Sequence, residues 1–254
     1  MCLRRAGWFN VGSQIAAATV KICGIRTYGQ LQSIIDLPID HIGFVFARSK
    51  RQVTADEAAP MVELLSKRRE AGTAPLSVGV FVNPTLEELR AVMRQAPLDV
   101  IQLHGQESPA FCAEVKEAFG FQVFKALPIA SGQEKEGGAS AGLSGEGVTD
   151  EERIEHLLGP YRGTVDAILL DTYDPVIGGG SGQTFAWDRI PPYLSWTKSA
   201  GMKLIVAGGL HAGNVGDLIG EYLPDGVDVS SGVETDGIKD IDKIAAFVER
   251  VKSS

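Results

Sequence analysis

An alternation restricts this chain more than any other feature. Eight short β-branched or aliphatic runs recur along it, each followed by a helix-like stretch. They are VKICGI (20–25), HIGFVF (41–46), SVGVFV (77–82), VIQLH (100–104), QVFKALPI (122–129), AILLDT (167–172), KLIVAG (203–208) and GVDVSS (226–231). Near-continuous apolar runs of this length suit strands buried on both faces, as in parallel sheets, and parallel strands require helical crossovers. Start signals mark several of the helices. Thr54 precedes ADEAAPMVELLSKRREAG, Thr85 precedes LEELRAVMRQA, Ser108 precedes PAFCAEVKEAFG with Pro109 at the first helical position, and Asp240 opens IDKIAAFVERVKSS. Eight strand–helix units that end in a helix predict a closed (β/α)₈ barrel, a TIM barrel, as one domain over residues 20–254. The length of 254 residues suits that architecture.

Two segments fall outside the rhythm. Residues 1–19 carry no clear period and are expected to form a loose extension; Asn10, Gly12, Ser13 and Gln14 interrupt the apolar stretch that a signal sequence would need. Residues 131–150, SGQEKEGGASAGLSGEGVTD, hold six glycines in twenty and almost no large apolar side chains. A flexible insertion after the fifth strand is predicted there, because such a segment cannot bury enough surface to offset its ordering entropy.

Composition excludes several classes of function. The net charge of −8 gives no general attraction to nucleic-acid phosphates or anionic lipid, and no stretch approaches 18 uninterrupted apolar residues. Cys2, Cys23 and Cys112 form no CxxC pair, and His41, His104, His156 and His211 have no metal-ligand spacing. The turn after the first strand, CGIRTYG, lacks the dinucleotide fingerprint, and Gln30 and Leu31 stand where a Walker loop needs Lys and Ser or Thr. The expectation is a cytoplasmic enzyme with a small-molecule substrate, no metal, no cofactor, no nucleic-acid or membrane partner, working as a monomer or weak homodimer.

Reactive groups in such barrels gather at the C-terminal ends of the strands. Candidates there are Cys23, the Arg48–Arg51 stretch, Asn83, His104, Asp171, the Gly208–Gly209 pair and Ser230–Ser231–Gly232. The small residues after strands seven and eight suit a phosphate cradle, where backbone N–H groups need unobstructed approach. Cys23, taken alone, is more readily inert core than nucleophile. Lys21 shares its strand face and needs a buried partner, for which Asp228 is a candidate; such a cation also favours a thiolate. Asp171 is as readily a capping carboxylate as a general acid, His104 as readily structural as catalytic, and Arg51 more readily a solvated loop residue than a carboxylate grip. The run Gly178–Gly179–Gly180–Ser181–Gly182 is flexible enough to close over a ligand.

Taken in order, VKICGIRT, GFVFARSKR, GVFVN, IQLHG, ILLDT, GGGSGQTFAW, AGGL and GVDVSSGVE resemble the phosphoribosylanthranilate isomerases of tryptophan biosynthesis. The resemblance runs from about Val20 to the C-terminus, apart from the glycine-rich insertion. KICG at the first strand together with LLDT at the sixth is its most specific part. It implies an Amadori rearrangement of N-(5-phosphoribosyl)anthranilate, with Cys23 as general base and Asp171 as general acid. It further implies that Arg51 engages the anthranilate carboxylate, with Gly208, Gly209, Ser230, Ser231 and Gly232 holding the phosphate and His104 at the substrate. Gln183 stands where the family often has Lys. The related histidine-pathway isomerase places Asp where this chain has Cys23, and indole-glycerol-phosphate synthase would want an interior Lys general acid; a catalytically silent phosphosugar-binding barrel is the rival of another class.

Overall fold

The strand-forming runs close on themselves. In the computed structural model, which describes residues 17–72, 74–129, 149–171 and 187–254, eight parallel strands pair in sequence order and the first pairs with the last. They are β1 (Thr19–Cys23), β2 (His41–Val45), β3 (Leu76–Phe81), β4 (Val100–Leu103), β5 (Gln122–Pro128), β6 (Ala167–Asp171), β7 (Lys203–Ala207) and β8 (Gly226–Val229). Between them run α1 (Tyr28–Ile34), α2 (Ala55–Glu70), α3 (Leu86–Gln95), α4 (Pro109–Phe119), α5 (Asp150–Leu158), α6 (Ile190–Ser199) and α7 (Val215–Tyr222), and α8 (Ile241–Lys252) ends the chain. The expected (β/α)₈ barrel is therefore the observed fold, and each expected strand lies within two residues of its observed end. The residues expected to start helices do so: Thr54, Thr85 and Ser108 each accept a backbone N–H three residues on, and Asp240 accepts those of Asp242 and Lys243.

Most of residues 1–19 and of the glycine-rich insertion, and the run 178–182 with Gln183, lie outside the described residues. At the two inner margins the chain is regular. Thr19 opens β1, and Thr149 caps α5 through a reciprocal box with Glu152. Thr149-x-x-Glu152 is the same signature that Thr54 and Thr85 carry, embedded here in a glycine-rich context that hides it. A feature without a sequence-level expectation is the antiparallel hairpin of β9 (Glu234–Thr235) and β10 (Ile238–Lys239), which follows a 3₁₀ turn at Ser231–Val233.

The period-2 rule divides the core into two shells. Residues on the outer face of the strands, such as Ile22, Phe44, Ile101, Leu170 and Val227, pack with the helices in one large buried cluster. Inside the barrel, Val78, Val100, Phe124, Ala126, Ala167, Leu169, Ile205 and Ala207 form a second, smaller one. Register puts Lys21 opposite both His41 and Asp228, Cys23 opposite Gly43, and Asp171 opposite Ala207, all on the inner side. The alternation thus decides which polar side chains enter the barrel and which apolar ones leave it.

At the N-terminal mouth one device recurs four times. An aspartate immediately before each even strand accepts the backbone N–H of a residue at the start of the preceding odd strand. The pairs are Asp40 with Val20, Asp99 with Ser77, Asp166 with Val123 and Asp225 with Leu204, at 2.7–2.9 Å. Each aspartate also meets a cation: Lys252, Arg69, Lys116 and Lys203 respectively, at 2.7–2.8 Å. The second N–H of each odd strand faces the following even strand below its first residue, where the ladder has not yet begun, and the carboxylate supplies a charge-assisted partner. Because this mouth is opposite the C-terminal one, where reactive groups are expected, Asp99→Ala should lower stability by about 2–3 kcal/mol, the scale of a charge-assisted hydrogen bond, without changing turnover. Urea unfolding with steady-state kinetics checks this; an unshifted midpoint, or lost activity in the folded variant, would contradict it.

Candidate active site

Cys23 ends β1 and points into the barrel mouth with 8% of its surface exposed. Gly43 lies directly beside it on β2: a Cβ there would come within 2.9 Å of Sγ and 3.0 Å of the Cys23 Cα, so the thiol occupies the space a side chain would take. One layer below, the Lys21 ammonium donates to Asp228 Oδ1 at 3.0 Å, both side chains buried, as the strand parity foretold. Burial draws the Lys21 pKa down, but Asp228 and the Cys23 sulfur together carry it above the ordinary value, so this lysine stays charged. Burial is likewise the largest influence on Cys23 and raises its pKa; Lys21 opposes that rise, Asp228 adds to it, and Lys239 again opposes. Two cations thus act on a thiol that burial otherwise holds protonated. His41, beneath the same layer and edge-on to Phe124, is held neutral, its pKa drawn down to about 4 by burial first and Lys21 second.

Asp171 ends β6, three strands from β1 around the closed barrel, and its carboxylate is 27% exposed. His104 follows β4, and its Nε2 lies 3.0 Å from Asp171 Oδ2. Its Nδ1 lies 3.0 Å from Gln102 Nε2, while Gln102 Oε1 is buried with no hydrogen-bond partner among the described residues. With the amide donating to Nδ1, the imidazole carries its proton on Nε2 and donates to an Asp171 carboxylate. Rotating the amide by half a turn gives Oε1 a partner in Nδ1–H, and Nε2 then accepts from a protonated Asp171. The trio accommodates both protonation states of the acid. Gln102 was not among the expected residues; the period-2 rule that pairs it with His104 was the available signal.

Arg51 lies in the loop after β2, and its side chain crosses Gly24, where a Cβ would meet its Cδ at 2.6 Å. That brings it close enough to Cys23 for the two to interact electrostatically, but not as a free cation. Its Nε and Nη2 donate to Oε1 and Oε2 of Glu234 at 2.6 and 2.7 Å. Lys239, buried within the hairpin, donates to Glu234 Oε1 at 2.9 Å and to the Ser230 carbonyl at 2.8 Å. Although burial opposes ionisation of Glu234, Arg51 and Lys239 outweigh it and hold its pKa down to about 2. No role was expected for Glu234, which ends GVDVSSGVE, or for Lys239 beyond it; they lie in a hairpin of two-residue strands too short to show a period.

The small-residue loops after β7 and β8 meet. Gly208 and Gly209 adopt φ of +91° and +61°, which side chains rarely tolerate, and a Cβ on Gly232 would fall 1.8 Å from the Leu210 carbonyl oxygen. Asn214 ties the first loop by donating to the Gly209 carbonyl at 3.0 Å and accepting from the His211 N–H at 2.8 Å. Ser230 Oγ donates to the Cys23 carbonyl at 3.1 Å, which joins the second loop to β1. Lys125 on β5 turns to the outer face: its ammonium meets Glu107 Oε2 and three backbone carbonyls at 2.8–3.5 Å. Four acceptors against three N–H groups leave it nothing to give a substrate.

A family model described as N-(5'phosphoribosyl)anthranilate (PRA) isomerase matches residues 20–142 and 149–250. The chain belongs to the phosphoribosylanthranilate isomerase family. An N-(5'-phosphoribosyl)anthranilate isomerase of Brevibacillus brevis is 46% identical over 234 residues, covering 92% of this chain and 93% of the relative. The crystal structure of phosphoribosyl anthranilate isomerase from Thermotoga maritima superposes with a TM-score of 0.72 at 33% identity, over 93% of this chain and all of that one. Another solved isomerase, in complex with reduced 1-(o-carboxyphenylamino)-1-deoxyribulose 5-phosphate, gives a TM-score of 0.69 at 30% identity, over 93% and 100% of the two chains. Phosphoribosylanthranilate isomerases are enzymes of tryptophan biosynthesis, the assignment that the KICG and LLDT motifs had implied. Among the described residues no helix is long and apolar enough to cross a membrane.

The environment of Cys23 has a direct chemical readout. In a Cys2→Ser background, alkylation by iodoacetamide should rise with pH through a midpoint above that of an ordinary thiol, because burial outweighs Lys21. Cys112, fully buried and pushed up to about 11, should stay silent below that pH. Mass spectrometry of the labelled peptide checks the site, and a Cys23 midpoint below pH 8 would contradict this account.

Proposed function

We propose that this chain converts N-(5'-phosphoribosyl)anthranilate to 1-(2-carboxyphenylamino)-1-deoxyribulose 5-phosphate, with Asp171 as general acid and Cys23 as general base. The observation that carries the assignment of roles is the pairing of two unlike environments at one mouth. Asp171 is partly exposed and bonded to an imidazole that serves either of its protonation states. Cys23 is nearly enclosed and faces two ammonium groups.

The reaction needs one proton given and one taken. Asp171 protonates the furanose ring oxygen as the C1–O bond breaks, and the anthranilate nitrogen lone pair forms the iminium. The Cys23 thiolate takes the C2 proton, and the released pair forms the C1=C2 bond while the C=N π electrons return to nitrogen. The resulting enolamine loses its hydroxyl proton and gains one at C1 to give the ketone. A turnover leaves a carboxylate at Asp171 and a thiol at Cys23, and a net proton transfer between them resets the site. The ketone is reached by moving hydrogen within one molecule, so sugar and enzyme end the cycle at their starting oxidation states.

Around this centre, the loops at Gly208–Gly209 and Ser230–Ser231–Gly232 are proposed to hold the phosphate, with His104 positioning the acid and Arg51 gripping the anthranilate carboxylate. Grips at both ends of the substrate convert binding energy into orientation of the reacting carbons. The acid and the base come from one chain, which is proposed to work in the cytoplasm as a monomer or weak homodimer on this small-molecule substrate.

Loss of anthranilate fluorescence on mixing with freshly made substrate measures the reaction. Asp171→Asn and Cys23→Ser should each lower kcat on the order of 10²–10⁴-fold, the range for one general acid or base, with circular dichroism unchanged. Wild-type turnover in either folded variant would refute the role assigned to that residue.

A further inference from the structure

Two bonds along one edge of a guanidinium fix its plane, and they decide which edge is left. Arg51 has five N–H donors in a planar fork. Glu234 takes the Nε–Nη2 edge with both of its oxygens. What remains is the end edge, where one N–H of Nη1 runs parallel to the second N–H of Nη2; no described residue bonds to Nη1. A planar carboxylate fits that edge with two parallel hydrogen bonds.

Glu234 is a fixed support for this fork. Its side chain is 6% exposed, and Lys239, 3% exposed, holds Oε1 while also donating to the carbonyl and, at 3.3 Å, the hydroxyl of Ser230. Ser230 in turn bonds to the Cys23 carbonyl. Two cations around one anion leave this trio with a net positive charge, so Glu234 orients Arg51 without cancelling its attraction for an anion. The same side chain is trapped from below by Gly24, whose missing Cβ is what lets it cross so close.

We propose that Glu234, anchored by Lys239, is a positioning residue for substrate selectivity: it aims the Nη1–Nη2 edge of Arg51 at the anthranilate carboxylate and so favours carboxylated over uncarboxylated N-aryl substrates. The inference rests on the carboxylate grip proposed for Arg51 and adds the element that makes the grip selective. An Arg51 freed from Glu234 keeps its charge but regains its rotamers, and a ligand carboxylate must then order it on binding.

Calorimetric titration with two ligands separates this role from a structural one. The first is reduced 1-(o-carboxyphenylamino)-1-deoxyribulose 5-phosphate, and the second is its phenylamino counterpart lacking the carboxylate. Glu234→Gln should weaken the first about ten- to thirty-fold, the scale of lost side-chain ordering, and change the second by less than about twofold. In steady state, KM should rise more than kcat falls. Lys239→Met keeps the Arg51–Glu234 pair but loses its anchor, and should show the same selective loss in smaller measure; it carries the test if Glu234→Gln does not fold. Equal weakening of both ligands, or of neither, overturns the proposal. Arg51→Ala separates the layers of the argument. If it does not distinguish the two ligands, the carboxylate grip itself fails and the role of Glu234 fails with it. If it does distinguish them while Glu234→Gln does not, only the role of Glu234 is wrong.

Discussion

The buried ion pair between Lys21 and Asp228 is the interaction on which the proposed catalytic mouth depends. It spans the seam where β1 meets β8 and the barrel closes. Two charges in an apolar interior gain little or nothing over well-packed apolar residues, whereas removing one partner costs about 3–5 kcal/mol because the other is left uncompensated. A pair that adds so little stability calls for another reason to be there. Two residues along the same face of β1 stands Cys23, and two along β8 stands Ser230, which bonds back to the Cys23 carbonyl. The pair thus puts a permanent ammonium beneath the proposed base, while Asp228 keeps that ammonium charged.

From that seam the two mouths of the barrel divide their work. At the N-terminal mouth, four aspartates close the open ends of the odd strands and meet cations, an arrangement that fixes strand register. At the C-terminal mouth the polar groups are bonded in small sets that keep one face open: Gln102–His104–Asp171 on one side, Arg51–Glu234–Lys239–Ser230 on the other. Each set joins residues from different strands or loops. Among the described residues, the Asp171 carboxylate and the Arg51 guanidinium are each partnered on one edge, which leaves another edge for a ligand.

The sequence carried the barrel because its information is local: eight apolar runs, helix caps at Thr54, Thr85, Ser108 and Asp240, and strand parity that paired Lys21 with Asp228. Parity also carries further than it was used, since it aligns Gln102 with His104 on one inner face. The aspartates at 40, 99, 166 and 225 each stand directly before a strand, so their repetition was present in the sequence, but only the register shows what they bind. The roles of Glu234 and Lys239 were not legible, because two-residue strands have no period and the meeting of Glu234 with Arg51 joins positions 183 apart in the chain. Arg51 was legible in location but not in state: a basic loop run gives no sign that a carboxylate will hold two of its five donors. Thr149 was obscured by its glycine-rich neighbours, although its spacing to Glu152 is that of the other two capping boxes.

Replacing both members of the seam pair tests the dependence of Cys23 on it most directly. In Lys21→Met/Asp228→Asn no buried charge is left unpaired, so the fold should survive and the thiol alone should report the change. Lys21 acts on Cys23 more strongly than Asp228 does. The account therefore predicts that the midpoint of Cys23 alkylation moves to higher pH than in the wild type and that turnover at neutral pH falls with it. A folded double variant whose alkylation profile superimposes on that of the wild type would contradict the account.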